Sequence, residues 1–403
     1  MICSSFWRDL SIDETKQEIS HCPKQIRYPI SLEEIKTYGP DIFYKNNHFL
    51  KSKRQMIDKG WESCELCRNC NTNVFNTRNI WKKNPQEKPE RLAPIEFEYY
   101  NNDTDDTVYL YQIDYIFSPV CNQTCMYCNS NRSNQWAKLL NKTINISEQW
   151  NDAMIETLLL FLKKAIPKNY NQQGICINFL GGEPFLNLKS ILKLCTPIAE
   201  LGYDLRIKVT SNLNIRTELL EQFINFAIKY PNIRFFLAPS IDALNSKAEG
   251  IRTGLDFNLF MKNLEFAVKS NVFKRIVIIP TMSALNIKGC KDFFKYFVEF
   301  FENNNWEMFN FATNPVLRPK PMAVNILPEK YKEYFIEGIE YLEYKNTGEP
   351  KKLKFILNNI GTDRSDENLK KYRIWYEEHG KLKNLDYFNM FPELEDILKI
   401  NNV

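Results

Sequence analysis

The chain carries only three histidines in 403 residues, His21, His48 and His379. A histidine-built metal triad or a conventional histidine proton relay therefore has little to draw on. Long hydrophobic runs are missing as well. The longest, Leu158-Leu159-Leu160-Phe161-Leu162, falls far short of the ~20 apolar residues that span a bilayer. The amino-terminal stretch MICSSFWRDLSIDETK lacks the basic-then-apolar order of an export signal, so a cytoplasmic location is expected. Charge of one sign is scarce too. The chain has 53 Lys and Arg against 49 Asp and Glu, a net charge of +4, which is not the clustered basic field of a dedicated nucleic-acid binder. What is present is core material: 44% apolar residues with 28 phenylalanines describe a globular protein of two or three structural units. Eleven cysteines in an unsecreted chain point to metal or redox sites, not to a disulfide framework.

Cys121, Cys125 and Cys128 lie in the run SPVCNQTCMYCNSNRSNQW. Their four-then-three spacing places three thiolates on one loop. Such a loop can hold three irons of a 4Fe–4S cubane and leave the fourth iron open to a cofactor or substrate. The loop follows the apolar segment 108–117, which reads as a strand, and βα folds put their chemistry at strand ends. The alternatives are a zinc site or three unrelated core cysteines. Closed tetrahedral zinc needs a fourth cysteine or histidine, and none lies nearby in sequence.

Strand and helix patterns alternate after this loop. Helical spacing covers 150–167, 188–201, 218–230, 257–270 and 288–303, and strand patterns cover 174–180, 204–209, 233–238, 275–279 and 307–311. With the strand before the cysteines these make about six βα repeats, which implies a parallel, barrel-like sheet with all strand ends on one face. Residues 331–403 are charged with aromatic punctuation and read as a helical tail whose lysines form a solvated face.

Short motifs fall at the ends of successive strands. Gly181-Gly182-Glu183-Pro184 offers two glycines for close backbone approach and a carboxylate that can accept from an ammonium group. Ser211 and Asn212 follow the next strand, with side chains suited to hydroxyls. Ser240 and Asp242 follow the fourth, and Arg252 comes ten residues after Asp242, in reach of a charge-assisted pair. Taken singly these read as a Gly-Gly turn, ordinary loop residues and a surface ion pair. Together with the cysteine spacing and the aromatic Tyr127 before the third cysteine, they resemble the radical S-adenosylmethionine (radical SAM) superfamily.

A second cysteine set precedes them: Cys3, Cys22, Cys64, Cys67 and Cys70. Cys3 and Cys22 flank two segments, 6–12 and 18–21, that look like hairpin arms, while Cys64 and Cys67 form a CxxC. This set resembles the twitch module, a short form of the SPASM auxiliary-cluster domain, placed here before the core. The sequence departs from that pattern in lacking a hairpin glycine and in having Pro23 after Cys22. Cys70 can replace Cys3 as fourth ligand, and a structural zinc site on Cys22, Cys64, Cys67 and Cys70 is the rival. Cys176, Cys195 and Cys290 read as buried apolar residues.

The resemblance implies an α/β fold, a partial (β/α)6 TIM-like barrel over 101–330. It would be preceded by a twitch/SPASM-like module over 1–100 and followed by a helical extension over 331–403. It further implies a 4Fe–4S cluster on Cys121, Cys125 and Cys128, with SAM held by Tyr127, Gly181, Gly182, Glu183, Ser211, Asn212, Ser240, Asp242 and Arg252. A second, auxiliary 4Fe–4S cluster would sit on Cys3, Cys22, Cys64 and Cys67. The activity implied is reductive cleavage of SAM to a 5′-deoxyadenosyl radical that takes a hydrogen from the substrate, with electrons from a flavodoxin or ferredoxin. Oxidation or cross-linking of a peptide or protein side chain is the first expectation. A dehydrogenase or mutase of a small sugar or amino alcohol is the second, and a non-catalytic iron–sulfur protein the third. No substrate-side acid or base is assigned.

Overall fold

The computed structural model describes residues 2–3, 9–21, 27–43, 48, 51–52, 55, 58–63, 80–81, 112–144, 146–165, 175–202, 205–348 and 350–400. The main elements in chain order are β1 (Asp9–Asp13), β2 (Glu18–Ser20), β3 (Tyr28–Pro29), α1 (Leu32–Tyr38), β4 (Gln112–Ile116), α2 (Glu148–Ala165), β5 (Ile175–Leu180), α3 (Leu188–Glu200) and β6 (Leu205–Ser211). They continue with α4 (Thr217–Lys229), β7 (Arg234–Pro239), α5 (Phe257–Ser270), β8 (Phe273–Ile278), α6 (Cys290–Asn303), β9 (Phe309–Phe311), α7 (Tyr331–Tyr344) and α8 (Asp366–Lys383). Local chemistry sets several ends. A reciprocal Ser31–Glu34 capping box opens α1. Asp256 caps α5 by accepting from the Leu259 N–H at 3.0 Å, and Asn271 closes it in the left-handed conformation. Among the described residues no helix is long and apolar enough to cross a membrane.

The chain forms two compact units. The first comprises Met1–Val120, Asn145–Val209 and Phe226–Phe235; the second comprises Cys121–Ile144, Thr210–Asn225 and Phe236–Val403. In the first unit β4 runs parallel to β5, and β5 parallel to β6, with Ile113 opposite Ile177 and Ile177 opposite Ile207. The strands alternate. Ile113, Tyr115, Ile177, Phe179, Ile207 and Val209 are wholly buried, while Asn178, Arg206 and Lys208 on the other face are half-buried. The helix α2 packs on α1 and α3. Its Trp150 is buried and donates from Nε1 to the Ile30 carbonyl at 2.7 Å. β1 and β2 form the expected hairpin, Ile12 opposite Ile19, and β1 also lies parallel to β4 with Ile12 opposite Tyr115. Buried Leu10, Ile12 and Ile19 give that hairpin an apolar face, so it extends the sheet.

Cys176 departs from expectation. It is half-buried on the polar sheet face, its thiol donates to Asn178 Oδ1 at 3.5 Å, and Asp114 accepts from Asn178 at 2.7 Å. Its place in an Ile-Cys-Ile run suited a core residue, yet period-two alternation turns it away from the isoleucines. Cys195 and Cys290 are buried as expected.

In the second unit β8 and β9 are parallel, Ile276 opposite Phe309, and Ser240 bridges in parallel to Ile279. The helix α6 is amphipathic, and its buried Phe293, Phe294 and Phe301 meet Phe309 and Phe311 of β9. The tail is helical, with α7 packed on α6 through Gly338, where a Cβ would stand 2.7 Å from Cys290 Sγ. The described fold is mixed α/β, its main strands largely parallel and joined by helices.

Candidate metal and cofactor site

The cysteine loop leaves β4 after Ser118 and is tied down by several side-chain and backbone hydrogen bonds. Asn134 Oδ1 accepts from the Cys121 N–H at 3.0 Å, Ser133 Oγ donates to the Gln123 carbonyl at 2.7 Å, and Trp136 Nε1 donates to the Cys125 carbonyl at 2.9 Å. These partners belong to one short helix, Asn134–Leu139, with its Ser133 cap. The Cys128 N–H closes a turn onto the Cys125 carbonyl at 3.0 Å. Thr124–Cys125 pairs antiparallel with Arg252–Thr253, so that Cys125 lies opposite Arg252 itself.

Arg252 and Asp242 form a buried, two-pronged pair. Arg252 Nε donates to Asp242 Oδ2 at 2.8 Å and Nη2 to Oδ1 at 3.1 Å. Tyr127 Oη donates to Oδ2 at 2.7 Å and the Thr281 N–H to Oδ1 at 2.8 Å, so one carboxylate receives four hydrogen bonds. The Tyr127 ring stands 5.6 Å from the Arg252 guanidinium. Burial raises the Tyr127 hydroxyl pKa well above its ordinary value, with Arg252 opposing.

Ser211 and Asn212 sit at the end of β6 beside the same loop. Ser211 Oγ accepts from the Leu213 N–H at 2.9 Å, and its carbonyl accepts from the Ser240 N–H at 2.8 Å. Asn212 Nδ2 donates to Asn122 Oδ1 at 2.8 Å, and Asn122 Nδ2 donates to the Asn214 carbonyl. Within the second unit the structure therefore brings together Cys121, Cys125, Cys128, Tyr127, Ser211, Asn212, Ser240, Asp242 and Arg252.

Gly181, Gly182 and Glu183 lie in the first unit, directly after β5. Gly181 has φ +129°, and a Cβ there would meet the Phe117 carbonyl oxygen at 2.8 Å. At Gly182 a Cβ would stand 2.3 Å from the Val120 carbonyl oxygen. The glycines are thus required by the stem that leads into the cysteine loop. Glu183 is fully buried; its N–H donates to the Val120 carbonyl at 2.8 Å and its Oε1 accepts from the Phe185 N–H at 3.1 Å.

Three residues escaped the sequence reading. Glu14, just past β1, is buried, accepts from Tyr115 Oη at 2.8 Å and from the Ser118 N–H at 3.1 Å, and is pushed up to about 7 by burial. Lys383, the last residue of α8, donates to the Thr124 carbonyl and to Thr253 Oγ1 at 3.3 Å, and lies 4.5 Å from the Trp136 ring. Burial lowers its pKa to about 8, opposed by Cys125 and Cys128. His379, one turn earlier, stacks on Trp375 at 4.0 Å and is lowered to about 4 by burial. No local pattern marks Glu14 and Lys383, because their partners lie a hundred or more residues away.

None of the three cysteines is in a disulfide. A 4Fe–4S cubane would take one sulfur on each of three irons, and the three thiols of this loop are the donors it would use. Gln123 Nε2 is buried with no hydrogen-bond partner, while Gln123 Oε1 accepts from the Cys125 thiol at 3.5 Å. Burial pushes the Cys125 thiol up to about 12, so the lone thiolate is disfavoured and a bound metal is what would deprotonate it. A thiolate there would receive that unsatisfied amide N–H after a rotation of the side-chain amide. Of the second cysteine set, Cys3 lies in a two-residue strand opposite Ile80, and Cys22, Cys64, Cys67 and Cys70 lie outside the described residues.

No family model and no curated protein matches the chain. Solved structures give remote matches. One is native anSMEcpe with bound AdoMet and Cp18Cys peptide, at TM-score 0.40 and 16% identity over 64% of each chain. Another is SuiB of Streptococcus suis bound to the precursor peptide SuiA, at TM-score 0.41 and 14% identity over 82% of this chain and 67% of that one. A third is TYW1 with a lysine–pyruvate adduct bound, at TM-score 0.34 and 17% identity over 57% of this chain and 72% of that one. The match to the anSMEcpe chain spans less than two thirds of its length.

Proposed function

We propose that the protein is a radical SAM enzyme of the partial-barrel type, acting on a peptide or protein side chain. The observation that carries this reading is the cysteine loop. Three thiols sit at CxxxCxxC spacing on one hydrogen-bonded loop whose middle cysteine pairs with Arg252. A 4Fe–4S cluster with SAM on its open iron would supply one-electron cleavage of the sulfonium and a 5′-deoxyadenosyl radical.

The chain's own residues have defined tasks in this proposal. Cys121, Cys125 and Cys128 would hold the metal, and Gln123, which now accepts from the Cys125 thiol, would donate to the metal-bound sulfur once its amide is turned. Asp242 fixes the Arg252 guanidinium and the Tyr127 hydroxyl, presenting a cation for the SAM carboxylate. Ser211, Asn212 and Ser240 offer polar groups to the ribose. Such fixed donors orient SAM before any chemistry takes place. Cys3, Cys22, Cys64 and Cys67, with Cys70 in reserve, would hold an auxiliary cluster of the twitch type, which would supply an acceptor for the electron given up by the substrate radical.

The test is anaerobic reconstitution with iron and sulfide, followed by dithionite and SAM, scoring 5′-deoxyadenosine. The parental protein is expected to release it, and Cys121→Ala to abolish release. An iron-free protein with zinc on the triplet, or Cys121→Ala that still cleaves SAM, would falsify the assignment.

A further inference from the structure

The end of α8 reaches back 259 residues to the cysteine loop, and its contact there is specific. Lys383 Nζ donates to the Thr124 carbonyl, the peptide that precedes Cys125, and to Thr253 Oγ1 at 3.3 Å, the neighbour of Arg252 in the paired strand. One ammonium thus clips both strands of the two-residue bridge that carries Cys125. Its stem is enclosed: Trp136, whose indole donates to the Cys125 carbonyl, lies 4.5 Å from Nζ, and His379 packs on the same indole at 5.5 Å between centroids. Negative charge on Cys125 or Cys128 would favour the ammonium form of Lys383. A half-buried lysine is held against desolvation by its partners, and among the described residues these are a carbonyl, a hydroxyl and an aromatic face. Its positive charge is left for whatever anion the loop holds.

We propose that Lys383 is a positioning residue for the cysteine loop, whose fixed charge sets the reduction potential of the cluster bound there. This rests on the proposed function. A cluster gains one negative charge when an external low-potential donor passes it one electron, and no bond or proton changes at Lys383. A fixed cation nearby in a medium of low dielectric favours the reduced form. The neighbouring buried cation, Arg252, is already bound at both prongs by Asp242. Lys383 is therefore the more weakly compensated of the two. The loop carbonyl it holds also fixes the Thr124–Cys125 peptide, so charge and geometry act at one point.

The decisive comparison is Lys383→Met, which keeps length without charge, against Lys383→Arg, which keeps charge. Both are reconstituted in the full chain alongside the parent. Iron per chain is counted, and the midpoint is read by titration followed by electron paramagnetic resonance. Lys383→Met is expected to lower the one-electron reduction constant about tenfold, a fall of about 59 mV, with Lys383→Arg within about threefold of the parent. If Lys383→Met loses its iron while Lys383→Arg keeps it, charge at this position is again what matters. The inference is overturned by equal midpoints in Lys383→Met and the parent, by equal shifts in both variants, or by loss of iron in both. An iron-free parent would instead overturn the proposed function, so the two failures are distinct.

Discussion

At Asp242 four donors meet one carboxylate, and its main partner, Arg252, is almost as deeply buried. Removing one member of a buried pair leaves the other uncompensated in a low-dielectric surrounding, which costs roughly 3–5 kcal/mol. Arg252→Ala should therefore lower unfolding free energy by about that amount in urea titrations, beyond any effect on SAM cleavage. Loss of activity with unchanged stability would contradict the packing role described here. Glu14 makes the opposite kind of prediction. Its folded pKa of about 7 lies above the ordinary 4.5, so the folded protein holds a proton that the unfolded chain releases. Below pH about 4.5 both states are protonated and no penalty arises. As pH rises from there to about 7, stability falls by roughly 3 kcal/mol from this group. Glu14→Gln should remove that slope from the pH dependence of thermal unfolding.

The elements that carry the site are short, and their positions depend on close backbone approach. Gly182 is an example: its missing Cβ leaves room for the Val120 carbonyl, which otherwise would lie at 2.3 Å. Gly182→Ala must push the turn away from the loop stem, and a loss of more than about 2 kcal/mol is expected in chemical denaturation. Periodicity located the long elements well. Helix α5 spans 257–270 as the apolar spacing predicts, and the strands at 175–180, 205–211 and 234–239 start and end within two residues of their patterns. Bridges of two residues, such as Thr124–Cys125 with Arg252–Thr253, leave no periodic trace. Only the folded chain reveals that Arg252 stands opposite the middle cysteine. At Cys176 a run of apolar neighbours hides the alternation that turns the thiol to the polar face.

For the whole molecule, the proposed pair of metal sites makes a stoichiometric prediction. Reconstituted parental protein should bind about eight irons per chain, and Cys64→Ser with Cys67→Ser about four, while 5′-deoxyadenosine release persists. A count of about four in the parent would remove the auxiliary cluster and leave zinc as the occupant. The amino-acid sequence determined the alternation of strands and helices, the cysteine triplet and the order of polar motifs at strand ends, because each is written in residues close together along the chain. The tertiary structure alone decided that Lys383 and Trp136 bind the Thr124 and Cys125 carbonyls, that Asp242 binds Tyr127 as well as Arg252, and that Glu14 is a buried carboxylate. Those facts depend on contacts across ten to more than two hundred residues, and on which groups lose water when they form.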